Sequence, residues 1–346
     1  MPLTSLSKSG GRGRPTMREV AALAGVSVKT VSRVVNDEPG VSPDVRDRVR
    51  AAVERLDYHP NLAASNLRRA GGTATIGALV QDLSNSFSAG MLRAIDDEAR
   101  GRGTALLTAS LDEAPDREEA LVASLVRRRV DGLIIVPATK RQDYLASELR
   151  AGMPVVMVDR APRGIDVDSV SVDNAAGAAL AVGHLLDQGH RRLGIITDVP
   201  EVYTARMRRE GVRTAYADRG IGFDEGALHA VRTEEEARAL VHDVMAGARP
   251  PTGIFAARNV IAVGAARALS ELGLRERVAL VGFDDFPLAD LLDPPLTVVR
   301  QNSARIGHTA ATMLFERIAG ESCAPRHVVF DCELIVRGSG EIAPAE

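Results

Sequence analysis

The sequence predicts an α/β chain in two unequal parts: a small three-helix head, then a doubly wound body large enough for two lobes. Three observations lead there. From about residue 74 to 338, apolar runs alternate with helical stretches, the pattern of βαβ units and parallel sheets. Ahead of them, residues 16–69 read as short helices. Charge divides the same way: residues 1–70 carry 12 basic and 7 acidic side chains, the remainder 31 and 39. A basic module on an acidic body suggests a polyanion-binding head. With 346 residues and 45% apolar content, the chain can bury real cores. No apolar run reaches the ~18–20 residues of a membrane span, so no membrane association is expected. The polar, basic start lacks the apolar stretch of a secretory signal. Cys323 and Cys332 cannot build a disulfide framework or a zinc site; they read as two buried thiols of a cytosolic protein. No metal or cofactor is expected.

Residues 1–15 are polar, basic and aperiodic, a disordered tail. The head follows at 16–59. Thr16 and Glu19 have capping-box spacing. Val20, Ala21, Leu23 and Ala24 give the first helix an apolar side, and Gly25 supplies the left-handed residue of a sharp turn. Ser27 is placed to cap a second helix, Val28–Asn36. Val31 and Val35 turn inward there, with Val34 also read as core, while Lys29, Ser32, Arg33 and Asn36 fall on the outer side. Ser42 is placed to cap a third helix that opens on Pro43. Its apolar face is Val45, Val49, Ala52, Val53 and Leu56. A Gly-turn between two short helices, the second with an exposed polar face, predicts a helix-turn-helix that reads the major groove of double-stranded DNA. Residues 60–73 form a hinge and a Gly-Gly-Thr linker. In the body, strand runs stand at 76–80, 105–108, 132–136, 154–158, 193–197, 253–256 and 278–283, with helices such as 118–128 and 261–272 between them.

Longer stretches carry a specific resemblance. TMREVAALAGVSVKTVSRVVN (16–36), the hinge segment PNLAASNLR (60–68), and the body stretches VDGLIIVPA, PVVMVDRAP, VGFDDF and PPLTVVRQNSARIG resemble the lactose/galactose repressor family. The resemblance runs in order from about residue 14 to 338. It implies a bacterial transcription regulator, usually a repressor, acting as a homodimer in the cytoplasm at the nucleoid. It implies a type I, periplasmic-binding-protein-like body over 74–340: lobe one at about 74–161 and 300–322, lobe two at about 162–299 and 323–340. A small effector would lie between the lobes: a sugar, a sugar phosphate or a sugar acid.

By the same resemblance, Val28, Lys29 and Arg33 meet base edges, and Thr30, Ser32 and Asn36 meet phosphates. Asn61 and Leu67 belong to the hinge, with Leu67 wedged into the minor groove. Arg12-Gly-Arg-Pro15 reads first as disordered tail; its likeness to a minor-groove hook is a second reading. In the body the resemblance assigns Asn85, Phe87, Arg208 and Asp284 to the effector; Asp159 and Arg160 join them as candidates because they end an apolar strand, and Arg258 because it follows the strand GIFAA. Two departures stand out. The Asn-Pro-Phe-Phe stretch of the family is here Asn-Ser-Phe-Ser, and the usual Asn-Asp after GIFAA is Arg258-Asn259. A cleft-facing Arg258 beside Arg160 and Arg208 would outweigh Asp284 and favour an anionic effector; the equal alternative is that Arg258 turns to solvent. Asp173-Asn174 and Gly189-His190-Arg191 read as turns and packing. No GxSxG, phosphate-binding P-loop or GxGxxG after a strand is present, so an enzyme is not expected. The competing reading is a regulator or activator controlled by a protein partner such as a phosphocarrier.

Overall fold

The computed structural model describes residues 15–35, 37–58 and 72–345. Residues 1–14 with Arg12 and Arg14, then Asn36, and the hinge with Asn61 and Leu67 lie outside the described residues. Two compact units divide at Thr73–Ala74.

The first unit holds α1 (Met17–Ala24), α2 (Val28–Val35) and α3 (Pro43–Leu56). The Thr16–Glu19 capping box is formed in both directions, and Gly25 turns the chain at φ 66°. The Ser27 hydroxyl accepts from the Thr30 amide at 3.1 Å. Val20, Val31 and Val49, one from each helix, are fully buried, and Tyr58 closes the cluster. Two expectations fail. Leu23 is exposed, because the apolar face of α1 runs through Val20, Ala21 and Ala24. Ser42 holds the N-cap position of α3 but makes no side-chain cap bond, and Pro43 opens the helix.

The second unit is built on two six-stranded sheets. Its elements in order are β1 (Thr75–Val80), α4 (Ser86–Gly101), β2 (Ala105–Ser110), α5 (Pro115–Arg127), β3 (Leu133–Ile135), α6 (Ala146–Arg150), β4 (Val155–Val158), β5 (Asp168–Val172), α7 (Asn174–Asp187), β6 (Leu193–Thr197), α8 (Tyr203–Ala217) and β7 (Leu228–Ala230). Then come α9 (Glu234–Met245), β8 (Gly253–Ala256), α10 (Asn259–Glu271), β9 (Ala279–Phe283), β10 (Thr297–Arg300), α11 (Ser303–Ile318), β11 (His327–Phe330) and β12 (Glu333–Ile335). One sheet runs β11-β5-β4-β3-β1-β2, all parallel; the other runs β12-β10-β9-β8-β6-β7, with only β12 antiparallel. Helices cover both faces, as parallel sheets require.

The lobe limits shift from those expected. Residues 162–172 belong to lobe one, because β5 pairs with β4 through Asp168–Val156 and Val170–Val158. Residues 323–330 do also, because β11 pairs with β5. The sequence reading missed both strands: β5, Asp-Ser-Val-Ser-Val, is not an apolar run, and β11, His-Val-Val-Phe, is only four residues long. The thiol reading also fails: Cys323 is exposed and Cys332 half-buried. Burial still pushes the Cys332 thiol up to about 12.

Asp168 anchors the base of lobe one. Its buried carboxylate accepts from Arg317 at 2.8 and 2.9 Å, and from the Arg326 side chain and amide at 3.0 and 2.8 Å. Burial acts to raise its pKa, but the donated bonds outweigh it and hold the group at about 2. The folded pKa lies below the unfolded one near 3.9, so the stabilisation is complete above about pH 4 and disappears toward pH 2. Asp168→Asn is expected to lower stability at pH 7 by about 2 kcal/mol and to leave less acid sensitivity between pH 4 and 2. Urea unfolding at both ends of that range checks this; an unchanged midpoint at pH 7 would refute it.

Candidate functional site

On α2, the residues at positions i, i+1, i+4 and i+5 share one side. They are Val28, Lys29, Ser32 and Arg33. Val28 is 40% exposed, Lys29 and Arg33 are exposed, and Ser32 and Thr30 are half-buried. Val31 and Val34 are buried on the opposite side and Val35 is half-buried. An eight-residue helix spans ~12 Å, a fit to the major groove. The Thr30 hydroxyl is engaged with Ser27 at 2.9 Å.

In the body, strand ends deliver the site. After β1 come Gln81 and Asp82; after β4, Asp159 and Arg160; after β6, Asp198; after β8, Arg258; after β9, Asp284; after β10, Gln301. All of them line one cavity of about 70 Å³, with Asn85 and Phe87 at the start of α4, and Thr204 and Arg208 on α8. The C-terminal ends of parallel strands are where open α/β sheets bind ligands. All seven body residues singled out from the sequence therefore meet in one place.

Arg208 lies at its floor and is almost fully buried. Its Nε donates to Asn174 Oδ1 at 2.8 Å and its Nη1 to the Ala257 carbonyl at 2.6 Å. The guanidinium sits 3.7 Å from the Phe283 ring centroid and 3.8 Å from Asp284. Burial lowers its pKa, against the pull of Asp284 and Asp159. Burial pushes the Asp159 carboxyl up, against Arg160 and Arg208. Arg160 donates to both Glu113 oxygens and to the Pro137 carbonyl. Gln301 donates its amide to Asp284.

Arg258 does line the cavity, but its guanidinium is bonded to the buried Asp198. The expectation that arginines dominate fails. Asp82, Glu113, Asp159, Asp198 and Asp284 face three arginines, so the cavity carries an excess of carboxylate. The sequence reading missed Gln81, Asp82, Glu113, Asp198, Thr204 and Gln301. The strand-end rule could have found Gln81, Asp82, Asp198 and Gln301, which follow β1, β6 and β10; Glu113 and Thr204 needed the fold. Arg206, two residues before Arg208 on α8, turns to the Pro200 and Glu201 carbonyls. Asp173 caps α7 through the Ala176 amide, and His190 bonds to Thr252 and the Ile342 carbonyl, so both are structural.

An amide pair spans the cleft. Asn85 Nδ2 donates to Asn259 Oδ1 at 3.0 Å, and Asn259 Nδ2 donates back at 3.2 Å and to Ser86 Oγ at 3.0 Å. Asn85 belongs to lobe one and Asn259 to lobe two, so the residue that replaces the expected carboxylate joins the lobes.

A helix-turn-helix with an exposed cationic face, on a chain whose two-lobed body holds a buried polar cleft, defines a ligand-responsive transcription regulator. Two family descriptions match: "Bacterial regulatory proteins, lacI family" over residues 16–61, and "Periplasmic binding protein-like domain" over 182–340. The Ribose operon repressor of Escherichia coli K12 is 31% identical over 330 residues, covering 94% of this chain and 99% of that protein. A solved complex of the transcriptional regulator CelR with cellobiose is 32% identical, with a TM-score of 0.69, covering 94% of this chain and 100% of that one. The Lac repressor dimer bound to operator and the anti-inducer ONPF is 26% identical, with a TM-score of 0.82 and 95% and 99% coverage. The chain belongs to the lacI family of bacterial regulatory proteins. It is a DNA-binding transcription regulator and not an enzyme.

Asn259→Ala removes all three bonds between the lobes, each worth about 1 kcal/mol net. The ligand-free body is expected to shift toward an open form. Small-angle scattering should show a larger radius of gyration than wild type; an identical scattering curve would contradict a clasping role.

Proposed function

We propose that this chain is a homodimeric repressor of a near-palindromic operator, controlled by a small polyhydroxylated effector of the sugar class bound between its lobes. One observation carries the effector reading. Two buried polar atoms without a hydrogen-bond partner belong to side chains of this cavity: Arg160 Nε, which has the Asp159 carboxylate 3.7 Å away, beyond hydrogen-bond distance, and Gln301 Oε1. One is a donor and the other an acceptor. Hydroxyl groups can satisfy both, since each donates and accepts. Asp159 and Asp284 offer further acceptors, and Phe87 and Val202 offer apolar surface for a ring face.

The head reading follows from α2. Arg33 forks onto guanine O6 and N7, Lys29 reads a second guanine, and Val28 contacts a thymine methyl. Thr30, Ser32 and Asn36 hold phosphates, and Asn61 and Leu67 act from the hinge. A pair of heads places two such helices in successive major grooves. Dimerisation is supported by Leu288 and Leu291, which are 66% and 73% exposed, with Leu292. Leu292 also lines a cavity of about 320 Å³ among Val263, Phe286 and Leu296, an apolar face suited to a second copy. The working place is the cytoplasmic nucleoid.

The operator can be selected from random duplexes and its binding titrated with sugars, sugar acids and sugar phosphates. At least one compound is expected to change affinity about tenfold, a coupling of about 1.4 kcal/mol; no response across the panel would overturn the effector reading. Arg33→Ala is expected to cost about 1–3 kcal/mol and to relax the preference at one base pair per half-site. A uniform loss at every sequence would instead make Arg33 a phosphate contact.

A further inference from the structure

Beside the inner cavity lies a second one of about 310 Å³. Both lobes wall it. Lys140 and Arg163 come from lobe-one loops that follow β3 and β4; Tyr203 and Arg206 come from the first turn of α8 in lobe two. Arg160 lines both cavities, and its own charge is balanced by Glu113. The other cations, Lys140, Arg163 and Arg206, face a single carboxylate, Glu201. The outer cavity therefore has the opposite sign to the inner one.

Two of its cations, Arg163 and Arg206, are held in place. The Arg163 and Arg206 guanidiniums lie 5.5 and 5.7 Å from the Tyr203 ring centroid. Gln142 Oε1 accepts from the Arg163 backbone at 2.8 Å, and Gln142 is buried. Arg206 is bonded to the Pro200 and Glu201 carbonyls at 3.3 Å. Helix α8 starts at this wall, and Val202 at its N-cap gives no side-chain acceptor. The positive end of the helix dipole adds to the arginines.

We propose that the outer cavity is a phosphoryl subsite, so that the effector sets its hydroxyls inside and a phosphoryl group outside. This rests on the polyol reading of the inner cavity. Guanidinium forks match phosphate oxygens, and the carboxylates inside repel a phosphate from the inner cavity. Because the cations come from both lobes, a phosphoryl group between them favours lobe closure.

Calorimetry on the full chain in chloride buffer tests this. Inorganic phosphate alone is expected to bind saturably, and the double variant R163Q/R206Q is expected to bind it at least about tenfold more weakly, with its circular dichroism and Tm unchanged. Lysines at both positions, which keep the charge but lose the fork, are expected to fall between. Equal phosphate binding by wild type and R163Q/R206Q, or none by wild type, overturns the subsite. In the second arm each neutral sugar that binds is compared with its phosphate ester. The ester is expected to bind about tenfold more tightly, and R163Q/R206Q to lose that preference while keeping its affinity for the parent sugar. An ester no tighter than its parent overturns the subsite and leaves the polyol reading intact. Phosphate binding sensitive to R163Q/R206Q, with no sugar bound, supports the subsite and overturns the polyol reading.

Discussion

The buried charge of Arg208 is the constraint around which the effector body is arranged. An unpaired guanidinium at that depth would cost several kcal/mol. Each side of it is met by a different element: Asn174 on α7, the Ala257 carbonyl after β8, Asp284 after β9, and the ring of Phe283 on β9 itself. Helix α8 must therefore lie close to α7, and Gly211 makes that possible. A Cβ at Gly211 would fall 2.0 Å from the Ala175 carbonyl oxygen, so no other residue fits without parting the helices. Packing of the second lobe and placement of its cleft-lining cation are one requirement.

Two aspartates complete the floor by leaving ordinary backbone geometry. Asp159 and Asp284 end β4 and β9, one in each lobe, with φ of 66° and 71°. Aspartate tolerates this left-handed region better than most residues, yet it still costs about 1 kcal/mol. The conformation aims each carboxylate into the cleft. The acceptors are fixed before any ligand arrives, which spares binding the cost of ordering them.

The sequence showed most of this frame, for physical reasons that also explain the gaps. Strands buried on both faces, such as β4 and β9, are continuous apolar runs and stand out. Strand β5, with serines in its ladder, and the four-residue edge strand β11 do not, and the lobe limits moved with them. Site residues could be carried over one by one because strand ends repeat a fixed geometry. Charge balance could not. Arg258 looks like a surplus cation in the sequence, and only the fold brings Asp198 from 60 positions away to neutralise it. Asn259 looks like a lost carboxylate until Asn85 is seen opposite it. Pairing between distant loops has no local signature.

The same pairing explains how a ligand can act on the lobes. In an open cleft, water can reach Arg160 Nε and Gln301 Oε1. In the arrangement joined by Asn85 and Asn259, both atoms are buried without a hydrogen bond, with the Asp159 carboxylate 3.7 Å from Arg160 Nε. Each orphan costs about 1–3 kcal/mol, against a few kcal/mol from the amide clasp. A ligand that bonds to both atoms removes the penalty only in the closed state. Its differential affinity, rather than its affinity, shifts the equilibrium. An apolar molecule of the same shape would fill the cavity yet leave both atoms orphaned, and so would not close the lobes. On the proposed reading, selectivity for a hydroxylated effector and the ability to switch would come from the same two groups.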